Sequence, residues 1–202
     1  LSGTLPDSFG DLASNGAIYL SNNALTGVIP SSLYRLYYVD LSDNDFTGIE
    51  DVDNPSVSPM RRLDVSGNRI SGELPAEIGR LPMLEYLDLS DNLFAGAIPS
   101  SYGDMNMNSL FLNGNMLTGK FPPSMLDNDY FDYYWPQIIV QKGDGLDFEG
   151  VELFMPEFLC YDQEKNPYVS SEVFSENELT LIYTWSEGDD EFLERLGMWY
   201  DA

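Results

Sequence analysis

The sequence predicts an α/β fold in which a solenoid of stacked repeats, with short parallel strands on its concave face, precedes a small mixed α/β segment. Three observations support this. An asparagine recurs every 21 to 24 residues, and a glycine follows each one four residues later. Two apolar residues at spacing two precede each asparagine, and a proline follows most of the glycines by three residues. A period in the twenties with this content is typical of a solenoid, in which each repeat contacts only its neighbours.

The asparagines mark five repeats. They are Asn23, Asn44, Asn68, Asn92 and Asn115. The chain turns off a short strand at each of them, where a buried amide can both donate to and accept from neighbouring backbone groups. We expect stacked copies to form a ladder, and the loss of one copy should cost about 1–3 kcal/mol for the groups left unpaired.

Each remaining element of the repeat has a physical role. The apolar pair, Leu87 and Leu89 for example, points inward because alternate side chains of a strand share one face. The glycine permits a tight backbone path, and the proline begins an extended segment without an amide donor to satisfy. The segment 48–53 lacks this proline, which predicts an irregular repeat that bulges on the convex side.

The strand residues between the inward pair point at the concave surface, and the residues two positions earlier form a neighbouring row. Eight of these residues are candidates for binding a partner. They are Tyr19, Tyr38, Asp40, Arg62, Asp64, Tyr86, Asp88 and Phe111. Aromatic side chains offer a large contact area at low entropic cost. Arg62 is equally compatible with an ion pair to Asp40 or Asp88.

Composition excludes several classes of function. The chain has 34 acidic and 9 basic residues and a formal charge of −25. This disfavours nucleic acid and anionic membranes, both of which need lysine and arginine. The absence of histidine excludes a Ser-His-Asp triad and imidazole zinc sites, and the single Cys160 permits no internal disulfide. We predict no catalytic residue, no metal site, no cofactor and no membrane insertion in this chain.

The sequence pattern of the repeat resembles that of a known family. Segments 23–30 and 68–75 approach Asn-x-Leu-(Ser/Thr)-Gly-x-(Ile/Leu)-Pro, and segment 84–92 matches the strand part almost residue for residue. The pattern resembles the plant-type leucine-rich repeat, a subtype also found in bacterial surface proteins, over residues 1–126. The resemblance implies a non-enzymatic module that binds a protein or glycan through its concave face, at an extracellular, cell-surface or periplasmic location. The resemblance also implies that Asp40, Asp64 and Asp88 belong to the family consensus. Common ancestry is therefore an alternative to ligand binding as the reason for these aspartates.

Beyond the repeats we expect an aromatic capping segment at 127–150 and an acidic α/β segment at 151–202. Within the latter, 178–185 is predicted to be a buried strand and 188–199 a helix. The order of elements resembles the opening of a thioredoxin-like domain, but no cysteine stands where the redox pair of that family would lie. Two alternatives to recognition therefore remain open: a redox-type protein with a degenerate or truncated thioredoxin-like unit, and a structural spacer.

Overall fold

The computed structural model describes residues 1–11, 16–105, 107–128, 136–139, 141–142, 145–147, 159–161 and 167–169. The chain divides into two compact units, Leu1–Val151 and Glu152–Ala202. The domain boundaries expected at residues 126 and 150 stay predictions.

The first unit is built from short strands that alternate with short 3₁₀ helices. Its strands are β1 (Ser2–Gly3), β2 (Ala17–Tyr19), β3 (Ala24–Ile29), β4 (Tyr38–Asp40), β5 (Asp45–Ile49), β6 (Arg62–Asp64), β7 (Ser71–Gly72), β8 (Tyr86–Asp88), β9 (Leu93–Gly96), β10 (Ser109–Phe111) and β11 (Met116–Leu117). Its 3₁₀ helices are Asp7–Asp11, Ser31–Arg35, Pro55–Val57, Ala76–Arg80, Ser100–Asp104 and Pro123–Asp127. A single turn of α-helix, α1 (Pro136–Ile139), follows them.

The concave face is a five-stranded parallel sheet in the order β2-β4-β6-β8-β10. The central residue of each strand is apolar and buried, and these residues lie in register along the stack. They are Ile18, Val39, Leu63, Leu87 and Leu110. The predicted α/β solenoid with short parallel strands is therefore confirmed. Two further parallel sheets, β1-β3-β5 and β7-β9-β11, form a side face, and the 3₁₀ helices form the convex side.

The buried asparagines bind the repeats to one another. Asn92 shows the pattern: its Nδ2 donates to the carbonyls of Val65, Leu89 and Ser90 at 2.9, 3.3 and 3.0 Å, and its Oδ1 accepts the Ile70 amide at 3.0 Å. Asn44, Asn68 and Asn115 make equivalent bonds to their own turn and to the preceding repeat. The ladder thus satisfies amides and carbonyls that no regular strand would satisfy.

Two glutamines replace the missing next repeat at the end of the stack. The main-chain carbonyl of Gln137 accepts the Leu112 amide at 2.8 Å. In the earlier repeats, a carbonyl of the next concave strand accepts the equivalent bond. Gln141 takes the place of a ladder asparagine, since its Oε1 accepts the Leu117 amide at 3.2 Å and its Nε2 donates to the Leu112 carbonyl at 3.0 Å. Gln137 and Gln141 therefore satisfy backbone groups directly after β10 and in β11, at the end of the stack. Both glutamines lie within the capping segment expected at 127–150, which stays a prediction as a whole because its aromatic stretch 129–135 lies outside the described residues.

The repeat that contains Asn44 and Gly48 is irregular, as its missing proline indicates. Gly48 precedes its 3₁₀ helix by seven residues, whereas the corresponding glycine of every other described repeat precedes its helix by four. The helix itself, Pro55–Val57, has three residues in place of five. The side-face sheet is also interrupted here, because β5 and β7 belong to different sheets. The extra residues lie between the side face and the convex side.

In the second unit, β12 (Leu159–Tyr161) pairs antiparallel with β13 (Pro167–Val169). The strand predicted at 178–185 and the helix predicted after it lie outside the described residues. The resemblance to a thioredoxin-like domain consequently stays a prediction.

Candidate functional site

The eight candidate residues lie on the concave sheet in two rows that run across its strands. The register joins Tyr19 of β2 to Asp40, Asp64, Asp88 and Phe111 in one row. The same register joins Tyr38 to Arg62 and Tyr86 in the other row. Neighbouring strands of a sheet lie about 4.8 Å apart, so each row is a continuous stripe. All eight residues therefore lie on one face of the sheet, although Asp64 is buried.

The first two strands contribute an exposed aromatic cluster. Tyr19 is 64% exposed and Tyr38 is 39% exposed, which is unusual for large side chains of a sheet. The ring of Tyr37 lies against that of Tyr38 edge to face, with 6.4 Å between the ring centroids. The Arg61 guanidinium lies 6.0 Å from the Tyr37 ring centroid. At this end of the concave face, no aromatic ring of the described strands β6, β8 or β10 stacks on these tyrosines.

The last three strands hold a second cluster in which the side chains contact one another. The Arg62 guanidinium stacks on the Tyr86 ring at 3.7 Å and pairs with Asp64 at 3.0 Å. The Tyr86 hydroxyl donates to Asp88 Oδ2 at 3.2 Å, and its ring lies 5.5 Å from that of Phe111. The sequence offered an ion pair of Arg62 with Asp40 or Asp88 as an alternative to ligand binding. The guanidinium instead pairs with Asp64, two positions along the same strand.

Burial decides the protonation behaviour of this second cluster. Desolvation, followed by the nearby Asp88 charge, raises the pKa of Tyr86 to about 12. Desolvation also raises the pKa of Asp88, although bonds from Ser90 act in the opposite direction. Tyr86 is consequently a neutral hydrogen-bond donor at every physiological pH.

The three aspartates have a structural use in the turn that follows each strand. In Asp40, Asp64 and Asp88, Oδ1 accepts bonds from the amide and the hydroxyl of the serine two residues later. The amide distances are 3.0–3.2 Å and the hydroxyl distances 2.6–2.7 Å. Such local bonds are typical of Asx turns. They account for the aspartates without a ligand, which leaves the aromatic residues and Arg62 as the more informative part of the site.

One further row borders the site. The residues directly before β4, β6 and β8 are Tyr37, Arg61 and Glu85, and Arg61 pairs with Glu85 across the strands. The signal that finds this row is its position three residues before each strand aspartate.

No group of histidine, cysteine or carboxylate side chains suited to a metal ion occurs among the described residues. In the same part of the chain, no helix has the length and apolar character needed to cross a membrane.

Comparison with known proteins identifies the repeats. Residues 34–94 match a family model described as leucine rich repeat, and residues 17–36 match a second model of the same description. The chain is 47% identical over 116 residues to Receptor like protein 24 of Arabidopsis thaliana, and 36% identical over 81 residues to MDIS1-interacting receptor like kinase 1 of that plant. These matches cover 55% and 40% of the chain but only 13% and 8% of the relatives.

Solved structures show the same architecture. The Arabidopsis receptor kinase HAESA, in complex with the peptide hormone IDA and the co-receptor SERK1, is 35% identical with a TM-score of 0.61. That match covers 74% of this chain and 25% of the HAESA chain. A chain of the BIR3–SERK2 complex from Arabidopsis thaliana is 30% identical with a TM-score of 0.51, over 66% of this chain and 70% of the other. The first unit of the protein is therefore a leucine-rich-repeat solenoid with repeats of the plant type.

Proposed function

We propose that this chain is a non-enzymatic recognition module whose concave face binds an extended peptide segment of a partner protein. The observation that carries the proposal is the pair of aromatic clusters on that face, above all the exposure of Tyr19 and Tyr38. Tyrosine is enriched in binding hot spots because it combines a large apolar area with a hydroxyl and few rotatable bonds.

The dimensions of the face support an extended ligand. Five strands at about 4.8 Å spacing present a stripe roughly 20 Å long. An extended peptide rises about 3.3 Å per residue, so the stripe corresponds to about six peptide residues. Arg62 lies between Tyr38 and Tyr86 in the register, and its partly exposed guanidinium offers hydrogen-bond donors to the ligand backbone. Apolar side chains of the ligand would then fall on the aromatic clusters at either end.

The comparisons favour a protein ligand over a glycan. HAESA, which is similar to this chain, is described in complex with a peptide hormone and a co-receptor. The two curated relatives are named as a receptor like protein and a receptor like kinase. These names support a location outside the cell or at its surface. A bacterial or periplasmic context, which the sequence pattern left open, has no support of this kind.

The other two functions make different demands. A structural spacer needs the asparagine ladder and the core but not the exposed tyrosines. Replacing those tyrosines would then not change the binding of any ligand. A redox-type protein needs a reactive thiol in the second unit, and Cys160 is the single cysteine of the sequence. Neither alternative explains why large aromatic side chains are exposed on the concave strands.

The test is a binding screen of the whole chain against extracellular proteins and glycans, run beside two triple variants. The concave variant is Tyr38→Ala/Tyr86→Ala/Phe111→Ala. The matched control replaces three apolar side chains that are 39–50% exposed on the side face: Val28→Ala/Leu93→Ala/Met116→Ala. Circular dichroism must show that both variants keep the fold.

We expect a protein or peptide ligand whose binding is lost in the concave variant and kept in the control. Hot-spot side chains each contribute more than about 1–2 kcal/mol, so the triple change should weaken binding more than about a hundredfold. Equal binding by all three proteins would contradict the assignment of the concave face. Binding of glycans alone would contradict the choice of ligand.

A further inference from the structure

A pocket lies on the convex side of the solenoid, beside the irregular repeat that contains Asn44 and Gly48. It is an open notch of about 400 Å³ lined by residues 31, 34–35, 52–54 and 57–59. The notch exists because the helix Pro55–Val57 is shorter than its neighbour Ser31–Arg35 and begins three residues late. Its volume lies near the lower end of the roughly 300–1,000 Å³ typical of ligand pockets.

The lining of the notch combines apolar residues, among them Tyr34, Val52 and Val57, with polar and charged ones, and its tyrosine is held in place. Tyr34 and Val52 are 4% and 7% exposed. The Tyr34 hydroxyl donates to the Glu50 carbonyl at 3.1 Å, and the Ser58 hydroxyl donates to the Tyr34 carbonyl at 2.6 Å. Because these bonds fix both ends of the tyrosine, a ligand would not have to order it. Such preorganisation reduces the entropic cost of binding.

One edge of the notch is an exposed aliphatic side chain. Val57 is 74% exposed, and it lies at the end of the short helix. A lone exposed valine needs no explanation by itself. Here it adjoins a preformed, partly apolar concavity, so a partner that fills the notch would also cover Val57. The edge and the lining together would receive one large apolar side chain.

The surroundings of the notch are acidic. Asp53 lies in its lining, where Oδ2 accepts the Ser31 hydroxyl at 3.3 Å. The Glu50 carboxylate accepts the Ser31 amide at 2.8 Å, and Asp51 is close enough to help raise the pKa of Tyr34. The guanidinium that lines the notch, Arg35, is paired with Asp11 at 3.4 Å. Among the described residues around the notch, the carboxylates of Asp53, Glu50 and Asp51 thus outnumber the Arg35 guanidinium, which Asp11 already pairs, and a basic partner would complement them.

We propose that this notch is a second docking site, which takes one apolar side chain of a partner protein flanked by lysine or arginine. The apolar residues of the lining select the central side chain, and the carboxylates select its flanks. The site lies on the convex side and shares no residue with the concave clusters. Its occupancy is therefore independent of the function proposed for them.

The probe is a short blocked peptide, Arg-Phe-Arg, titrated into the isotope-labelled full chain and followed by methyl NMR. Two comparison peptides separate the contributions: Arg-Ser-Arg lacks the apolar side chain, and Glu-Phe-Glu reverses the charge. We expect shifts of the Val52 and Val57 methyl signals, and binding weaker by about tenfold or more for either comparison peptide.

Two matched variants make the site assignment decisive. Val57→Ser should weaken Arg-Phe-Arg binding, because it removes the apolar edge that the phenyl ring would cover and leaves the charge of the notch unchanged. Val28→Ser makes the same change at an exposed valine of the side face and should leave binding unchanged. Unmoved Val52 and Val57 signals would overturn the proposal. So would equal binding of Glu-Phe-Glu, or equal effects of the two variants.

Discussion

Replacement of Asn92 by alanine should destabilise the solenoid by about 3 kcal/mol, through the bonds that its side chain makes. Asn92 is fully buried, and its Oδ1 is the acceptor for the Ile70 amide. In the variant that amide loses its partner, which costs about 1–3 kcal/mol in a buried position. The rest of the estimate comes from the three bonds donated by Nδ2.

Each of the three carbonyls that accept from Asn92 Nδ2 would lose one hydrogen bond but keep another. The Val65 carbonyl also accepts from Asn68 at 3.0 Å, and the Leu89 carbonyl also accepts from Asn115 at 2.9 Å. The Ser90 carbonyl keeps the Gly67 amide at 3.1 Å. Their combined loss is therefore about 1 kcal/mol and not three full penalties.

The assay is urea unfolding followed by circular dichroism, with Asn23→Ala as the graded control. Asn23 makes the same type of bond to the Leu20 and Ser21 carbonyls, but it is only partly buried. Water can replace its bonds, so its loss should cost about 1 kcal/mol or less. A free-energy change for Asn92→Ala below about 1 kcal/mol, or equal to that of Asn23→Ala, would refute the ladder argument.

Three further perturbations test other parts of the structure. Gly72→Ala should cost about 1–2 kcal/mol in the same urea assay, because the residue has φ +103° and open space around it, so backbone strain acts alone; an unchanged midpoint would contradict this. Gln141→Ala should speed hydrogen exchange at the Leu117 amide, which loses its acceptor, while the Phe94 amide, bound to Asn115, stays protected. Equal rates in variant and parent would show that Gln141 does not close the ladder. The Tyr86 contribution to stability should be complete below pH 10 and decline as the pH rises to about 12, because its folded pKa is raised above the ordinary value of 10.0. The parent should therefore lose stability more steeply than Tyr86→Phe over that interval, and parallel curves would be inconsistent with the raised pKa.

The regular part of the fold could be predicted because local sequence and global packing agree in it. Each strand of the concave sheet is only three residues long, yet its apolar pair and the asparagine that follows recur at a nearly fixed spacing. Spacing alone therefore placed the concave sheet and put all eight candidate residues on one face. The end of the ladder was missed because Gln141 is not asparagine. Its spacing of four residues to Gly145, which has φ +75°, repeats the asparagine–glycine signal and could have revealed it.

Side-chain partners were harder to predict than positions. The sequence shows that Arg62 lies near several aspartates, but not that it pairs with Asp64 and stacks on Tyr86. Rotamers decide this choice, and strand periodicity fixes only the face on which a side chain lies. The notch likewise could not be predicted from the sequence. A missing proline predicts an irregular repeat, but only the shortened helix Pro55–Val57 shows that space is left beside Tyr34.

Photo-cross-linking can show whether the concave face is the surface that contacts the ligand. A photoreactive benzoylphenylalanine would replace Tyr38 in one protein and Val28, on the side face, in another. Each would be irradiated with the protein or peptide ligand identified in the binding screen. We predict cross-linked ligand from position 38 and none above background from position 28. Equal cross-linking from both positions, or cross-linking from position 28 alone, would contradict the account.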